Sequence, residues 1–320
     1  MSTLIELESV SKRYGARTVV DGVSFAVRRG EILGFLGPNG AGKTTTLRMI
    51  AGVITPSAGR VSVAGFDMAT ANQEAARRIG YVPEHPPLYD ALDVASYLRF
   101  VARAKGVPRA AMRSELERVA AVCHLEDVFH KEAYKLSKGY RQRLGFAQAL
   151  LGKPDVLLLD EPTSGLDPGQ IQETREAIRA HGEGHAVLLS THILSEVTMV
   201  CQRVAIIHRG KLLAIDSPEG LRRSFEATDC VALQVAAPAE GLLDTLRSID
   251  GVTAVQLRPV SAPSGAQGAV IDAECQVSAR QGVEAAVARA VAARWQLLHL
   301  ERRQPTLENV FLSYIKAGNA

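Results

Sequence analysis

Cysteine is scarce in this chain, and so are long apolar runs and net charge. The four cysteines, Cys123, Cys201, Cys230 and Cys275, lie far apart without a CxxC or a histidine-paired spacing. They read as buried or idle thiols rather than metal ligands. No stretch approaches the roughly eighteen consecutive apolar residues of a membrane span, and the start, MSTLIELESVSKRYG, has no basic cluster followed by an apolar run. A secretory signal is therefore not expected, and the reading is cytoplasmic. The formal charge of +3 is too small to argue for a nucleic-acid partner. No internal repeat or low-complexity tract is evident.

With 320 residues, 47% of them hydrophobic and 22% charged, the chain suits two globular domains of unequal size. From Ile5 to Gly65 it reads as β segments, IELESV, VSFAV and EILGFLG, the last running into a glycine loop and a helix from about Lys43 to Ala51. Between about 86 and 150 the composition turns to Ala, Arg, Leu and Glu at helical spacing, broken at Pro108. The strand-like runs VLLLD, HAVLLSTH, RVAIIHRG and KLLAID follow, with a helix around QETREAIRAHG. Helices alternating with near-continuous apolar strands predict an α/β fold with a parallel sheet. Beyond about Phe225 the order strand, helix, strand, turn (SAPSGAQG), strand, helix, strand predicts a ferredoxin-like βαββαβ domain over 226–320. It closes on a short amphipathic helix, TLENVFLSYIK.

Gly37, Pro38, Asn39, Gly40, Ala41, Gly42, Lys43 and Thr44 match GxxxxGK[ST] in full, with Thr45 directly after. In that motif backbone N–H groups turn around the phosphates of a nucleoside triphosphate, the lysine reaches the outer ones, and the threonine hydroxyl ligates Mg²⁺. Val156–Leu159 reads as a buried strand that delivers Asp160 and Glu161 to the same sheet edge. Asp160 suits the Mg²⁺ carboxylate and Glu161 the base that polarises the attacking water. His192, closing VLLSTH, is placed to sense the γ-phosphate as a neutral imidazole. A second anion seat lies about ninety residues after the glycine loop, where Ser137 and Gly139 of LSKGY open a helix.

Tyr14, GPNGAGKTT, LSKGY, LLLDEPTSGLDP and STH, in this order and spacing, resemble the nucleotide-binding subunit of an ABC transporter over about residues 3–225. The resemblance implies a RecA-like α/β core with an antiparallel β subdomain and a helical subdomain, and ATP with Mg²⁺ as ligands. It implies that two copies face head to tail, that Ser137 and Gly139 contact the ATP of the opposite subunit, that Tyr14 stacks on adenine, and that Ser164–Asp167 links the two sites. A separate membrane-spanning permease is implied as partner.

Two departures stand out. LSKGY replaces the usual LSGGQ, with Lys138 and Tyr140 at altered positions, and Glu84 of GYVPE stands where a glutamine normally touches Mg²⁺. Both are similar to ATPases of ABC-2-type exporters, among them those of gliding motility, copper-site maturation and drug efflux, which often end much like PTLENVFLSYI. Export is therefore the expected direction. A soluble ABC ATPase acting on ribosomes or nucleic acid is the alternative, but it would typically carry two cassettes or a long coiled coil. A P-loop kinase would need neither LSKGY nor Glu161.

Overall fold

In β1 (Thr3–Tyr14) and β2 (Arg17–Arg28) buried residues alternate with exposed ones, the pattern of a sheet with one wet face. The two strands pair antiparallel, Tyr14 opposite Arg17. The computed structural model describes residues 2–224, 229–260, 270–277, 282–303 and 307–317. β3 (Ile32–Leu36) leaves this hairpin and leads into α1 (Lys43–Ile50), and β4 (Ala58–Val63) and β5 (Phe66–Asp67) return to complete an antiparallel sheet ordered β2-β1-β4-β5.

α2 (Asn72–Arg77) and β6 (Ile79–Val82) come next. The helical segment contains α3 (Val94–Ala104), α4 (Met112–Val122) and α5 (Lys138–Leu150). Asp93 caps α3 by accepting the Ser96 N–H at 2.8 Å, and Pro108 stands between α3 and α4.

The remaining elements of this part are β7 (Val156–Asp160), α6 (Pro168–Gly182), β8 (Ala186–Thr191), α7 (Leu194–Val200), β9 (Arg203–His208), β10 (Lys211–Asp216) and α8 (Pro218–Ser224). The central sheet runs β10-β9-β3-β8-β7-β6 and is parallel except for the antiparallel β9–β10 hairpin. Arg209 and Gly210 both take positive φ in that turn, which suits a tight connection and spares the crossover a parallel pair needs. Every residue of β3, β7 and β8 is buried, the signature of strands covered on both faces.

The chain divides into compact units built on Met1–Glu219 and Gly220–Ser313. The second contains β11 (Asp229–Ala236), α9 (Ala239–Arg247), β12 (Val252–Val260), β13 (Val270–Val277), α10 (Val283–Ala292) and β14 (Gln296–Arg303), and α11 (Leu307–Ala317) follows. Its antiparallel sheet is ordered β12-β13-β11-β14, so the first and third strands are central, as in a ferredoxin-like sandwich. Val231, Leu233 and Val235 of β11 share one core with Leu242, Leu246, Val287 and Val291 of the helices. Each such side chain contributes on the order of 1.5–3 kcal/mol by leaving water. The turn expected at SAPSGAQG and the boundary residue Phe225 lie outside the described residues. Among the described residues no helix is long and apolar enough to cross a membrane.

Candidate nucleotide-binding site

The loop between β3 and α1 is shaped by glycines that have no substitute. A Cβ on Gly37 would meet the Ile207 carbonyl oxygen at 2.4 Å, and Gly42, the N-cap of α1, holds φ 107°, which L side chains rarely adopt. The loop thereby lies close on the sheet and turns the free N–H groups of the helix start outward, the arrangement that seats phosphate. Lys43, 6% exposed, donates to the carbonyls of Gly37 at 2.8 Å and Pro38 at 3.3 Å. It also lies 3.2 Å from Glu161 Oε1.

β7 carries the carboxylates to this loop. Asp160, its last residue, is paired in register with Ser190 of β8. Asp160 Oδ1 accepts from the Ser190 hydroxyl at 2.5 Å and the Thr44 hydroxyl at 3.2 Å. Its Oδ2 is buried without a hydrogen-bond partner among the described residues. Glu161, one residue past the strand, sits at φ 49°. Left-handed backbone in a residue with a side chain costs on the order of 1–3 kcal/mol and persists where surroundings over-determine it. Here the bend turns the carboxylate toward Lys43 and toward His192, whose Nδ1 lies 2.7 Å from Oε2.

His192 follows β8, which ends at Thr191. Which ring nitrogen of His192 carries the hydrogen is set by the tautomer, and the side chain lines the cleft beside Glu161.

These groups surround a cleft of about 540 Å³. Of the residues expected at the site, Tyr14, Asn39, Gly40, Gly42, Lys43, Thr44, Thr45, Glu84, Glu161 and His192 line it. Gly37, Pro38, Ala41 and Asp160 lie behind that lining, within the loop and at the strand end. Arg17 and Val19 also line it and were not expected. Their signal was the register of the hairpin, which sets Arg17 opposite Tyr14. Ser190 was missed as well, although a serine closing an apolar run could have marked it.

Three further expected residues, Ser137, Gly139 and Asp167, are also absent from the lining. Ser137 is the exposed N-cap of α5 and accepts the Tyr140 N–H at 3.4 Å. Gly139 is buried, and a Cβ there would meet the Gln170 side chain at 2.6 Å. It borders a different cavity, one shared with Leu166 and Gln170. Asp167 caps α6, accepting the Gln170 N–H at 3.0 Å. Lys138 reaches over Gly165, where an added Cβ would meet Nζ at 1.9 Å. The start of α5 therefore packs on the Ser164–Asp167 loop, whose first residue, Ser164, itself lines the cleft.

A phosphate loop at a sheet edge, with a strand-end aspartate against its threonine and a glutamate beside its lysine, defines a P-loop nucleoside triphosphatase. The family model described as ABC transporter matches residues 20–164. The chain is 41% identical over 243 residues to the uncharacterized ABC transporter ATP-binding protein YhcH of Bacillus subtilis, covering 75% of this chain and 78% of that one. It is 30% identical over 314 residues to the linearmycin resistance ATP-binding protein LnrL of the same species, covering 97% of each. A solved ATP-binding subunit of an ABC transporter superposes with a TM-score of 0.65 at 34% identity, covering 70% of this chain and 93% of that one. The chain belongs to the ATP-binding subunits of ABC transporters; it binds ATP and hydrolyses it.

Proposed function

We propose that the protein powers export by a separate membrane-spanning permease, through closure of a head-to-tail homodimer around two ATP molecules. The observation that carries this reading is the separation of the two anion seats. The cleft at Lys43 is complete on one side, while Ser137 and Gly139 face elsewhere in the same chain, so a second copy is needed to place LSKGY on a bound nucleotide. Because each ATP would then touch both copies, binding favours the closed state and hydrolysis removes the charge that bridges it.

Within the cleft Tyr14 packs on adenine, and the loop Gly37–Thr45 with Lys43 holds the phosphates. Glu161 accepts a proton from the attacking water as its oxygen bonds to the γ-phosphorus and the bond to the β-phosphate oxygen breaks, giving ADP and phosphate. The donors fit Mg²⁺: Asp160 Oδ2 is buried and unpartnered among the described residues, the Thr44 hydroxyl is beside the same carboxylate, and Glu84 is on the cleft wall. When bound, the ion would neutralise charge on the transferring phosphoryl group.

Permease docking is supported by the segment after Glu84. Tyr89 and Phe100 are both exposed, at 56% and 49%, and stack edge to face at 5.3 Å. Such a patch suits an apolar cytosolic helix of the partner. The protein would then be peripheral on the cytoplasmic face of the membrane, with no nucleic-acid partner. Export, and a cargo of the antibiotic class, are favoured by the end-to-end match to a linearmycin resistance protein. Residues 226–320 form an accessory domain in this reading.

The test is affinity purification of tagged Glu161→Gln protein from detergent-solubilised native membranes with ATP present. A co-purifying polytopic membrane protein is expected. Recovery of ribosomes or other soluble partners alone would contradict the transport reading.

A further inference from the structure

Behind the cleft lies a buried carboxylate that the chemistry above does not use. Glu196, on α7, is 2% exposed, and no cation pairs with it among the described residues. Its two oxygens accept from two different segments, the turn after β7 and the end of β8. Oε1 takes the hydroxyl hydrogen of Thr163, and Oε2 takes that of Thr191 at 2.7 Å. Both threonines are buried, at 4% and 0%. Buried polar atoms need hydrogen-bond partners in place of water, and these two hydroxyls supply them.

The threonines are not arbitrary. Thr163 stands two residues after Glu161, at the entry to the Ser164–Asp167 loop. Thr191 directly precedes His192, and its hydroxyl oxygen also accepts the Ile193 N–H at 3.0 Å, which fixes the turn that carries the histidine. On the cleft side the same two turns meet again through His192 and Glu161 at 2.7 Å. Glu196 thus closes a ring: Glu161, Thr163, Glu196, Thr191, His192 and back to Glu161.

We propose that Glu196 is a positioning residue for ATP hydrolysis, clamping the turn of Glu161 to the turn of His192 so that both side chains address the γ-phosphate in one geometry. It rests on the roles given to Glu161 and His192. Glu196 is buried and is not part of the cleft lining. Its effect is carried by the hydroxyls of Thr163 and Thr191, and motion of the Ser164–Asp167 loop would reach His192 along the same bonds.

The experiment measures kcat and KM for ATP, fluorescent-nucleotide affinity and thermal midpoint for Glu196→Ala, Glu196→Gln, Thr163→Val and Thr191→Val, with Glu161→Gln and His192→Ala as references. Glu196→Ala is expected to lower kcat by about 10-fold or more, as misplacement of catalytic groups does, with KM and nucleotide affinity within about twofold. Glu196→Gln, which still bonds both hydroxyls, recovers most of the rate. In the His192→Ala background Glu196→Ala costs little more, the non-additivity of residues that act as a unit. Should Glu196→Ala fold poorly, the nearly isosteric Thr191→Val is expected to carry the same kcat loss. Parental kcat in folded Glu196→Ala or Thr191→Val, or losses that multiply in the double variant, would overturn the inference while the references still lose activity. Parental turnover in Glu161→Gln and His192→Ala would overturn the reading of the site and the inference with it.

Discussion

Lys43 is held by the groups that a triphosphate would displace. Its ammonium rests on two loop carbonyls and on Glu161, with both side chains of the ion pair about nine-tenths buried. In the proposed reading, nucleotide entry would exchange these contacts for phosphate and free the glutamate to face water. In Glu161→Gln the proposed general base is lost and the competing charge beside Lys43 goes with it. Phosphate release is expected to fall on the order of 10²-fold or more, with ATP affinity unchanged or higher by equilibrium binding. Turnover equal to the parent would refute the assignment. Glu84 lines the same cleft as Glu161 and is the carboxylate proposed to face Mg²⁺ where the family has a glutamine. Glu84→Gln is therefore expected to shift the Mg²⁺ concentration for half-maximal ATPase; an identical Mg²⁺ titration and rate would rule this out.

The elements that build the site are those most legible from residues alone. β3, β7 and β8 are continuous apolar runs ended by a glycine loop, by Asp160 and by Thr191, so both their burial and the groups they deliver could be read in advance. The shorter pieces, α2, β6, α7 and α8, carried too few residues for a periodicity to emerge. α7 is the costly omission, because Glu196 becomes visible only once Thr163 and Thr191 are brought to it by tertiary packing. The contact between His192 and Glu161 at 2.7 Å was likewise beyond any spacing argument.

The helical segment has its own electrostatic signature. Lys105, following α3, donates to the carbonyls of Ala149 and Leu151 at the end of α5, and burial pushes its pKa down to about 8 from 10.5, against a smaller opposing pull from Glu115. The unfolded chain keeps this proton to higher pH than the folded one. Between about pH 8 and 10.5 this group therefore makes stability rise with pH, and the gain is lost as pH falls through about 8. Denaturant midpoints measured across that window are expected to climb more steeply for the parent than for Lys105→Met. Parallel curves would show that Lys105 titrates alike in both states.

At the scale of the whole molecule, two units with separate cores share one chain. The second unit holds no group of three or more His, Cys, Asp or Glu that could ligate a metal among its described residues. Support of dimerisation is the role we assign to it. A chain ending at residue 225 is expected to keep ATP binding and to dimerise more weakly with ATP, as read by light scattering; equal dimerisation would remove that role.

The placement of LSKGY on the partner's nucleotide is tested most directly by a disulfide. Asn39→Cys in one chain and Ser137→Cys in another, both in a Glu161→Gln, Cys230→Ser background, leave three native thiols, Cys123, Cys201 and Cys275, which burial pushes up to about 12 and so holds unreactive. A disulfide requires the two Cα atoms within about 7 Å. Head-to-tail closure predicts a covalent dimer on mild oxidation of the mixed chains with ATP, and little of it without nucleotide. Absence of that dimer with ATP bound, or a bond forming within one chain that carries both cysteines, would contradict it.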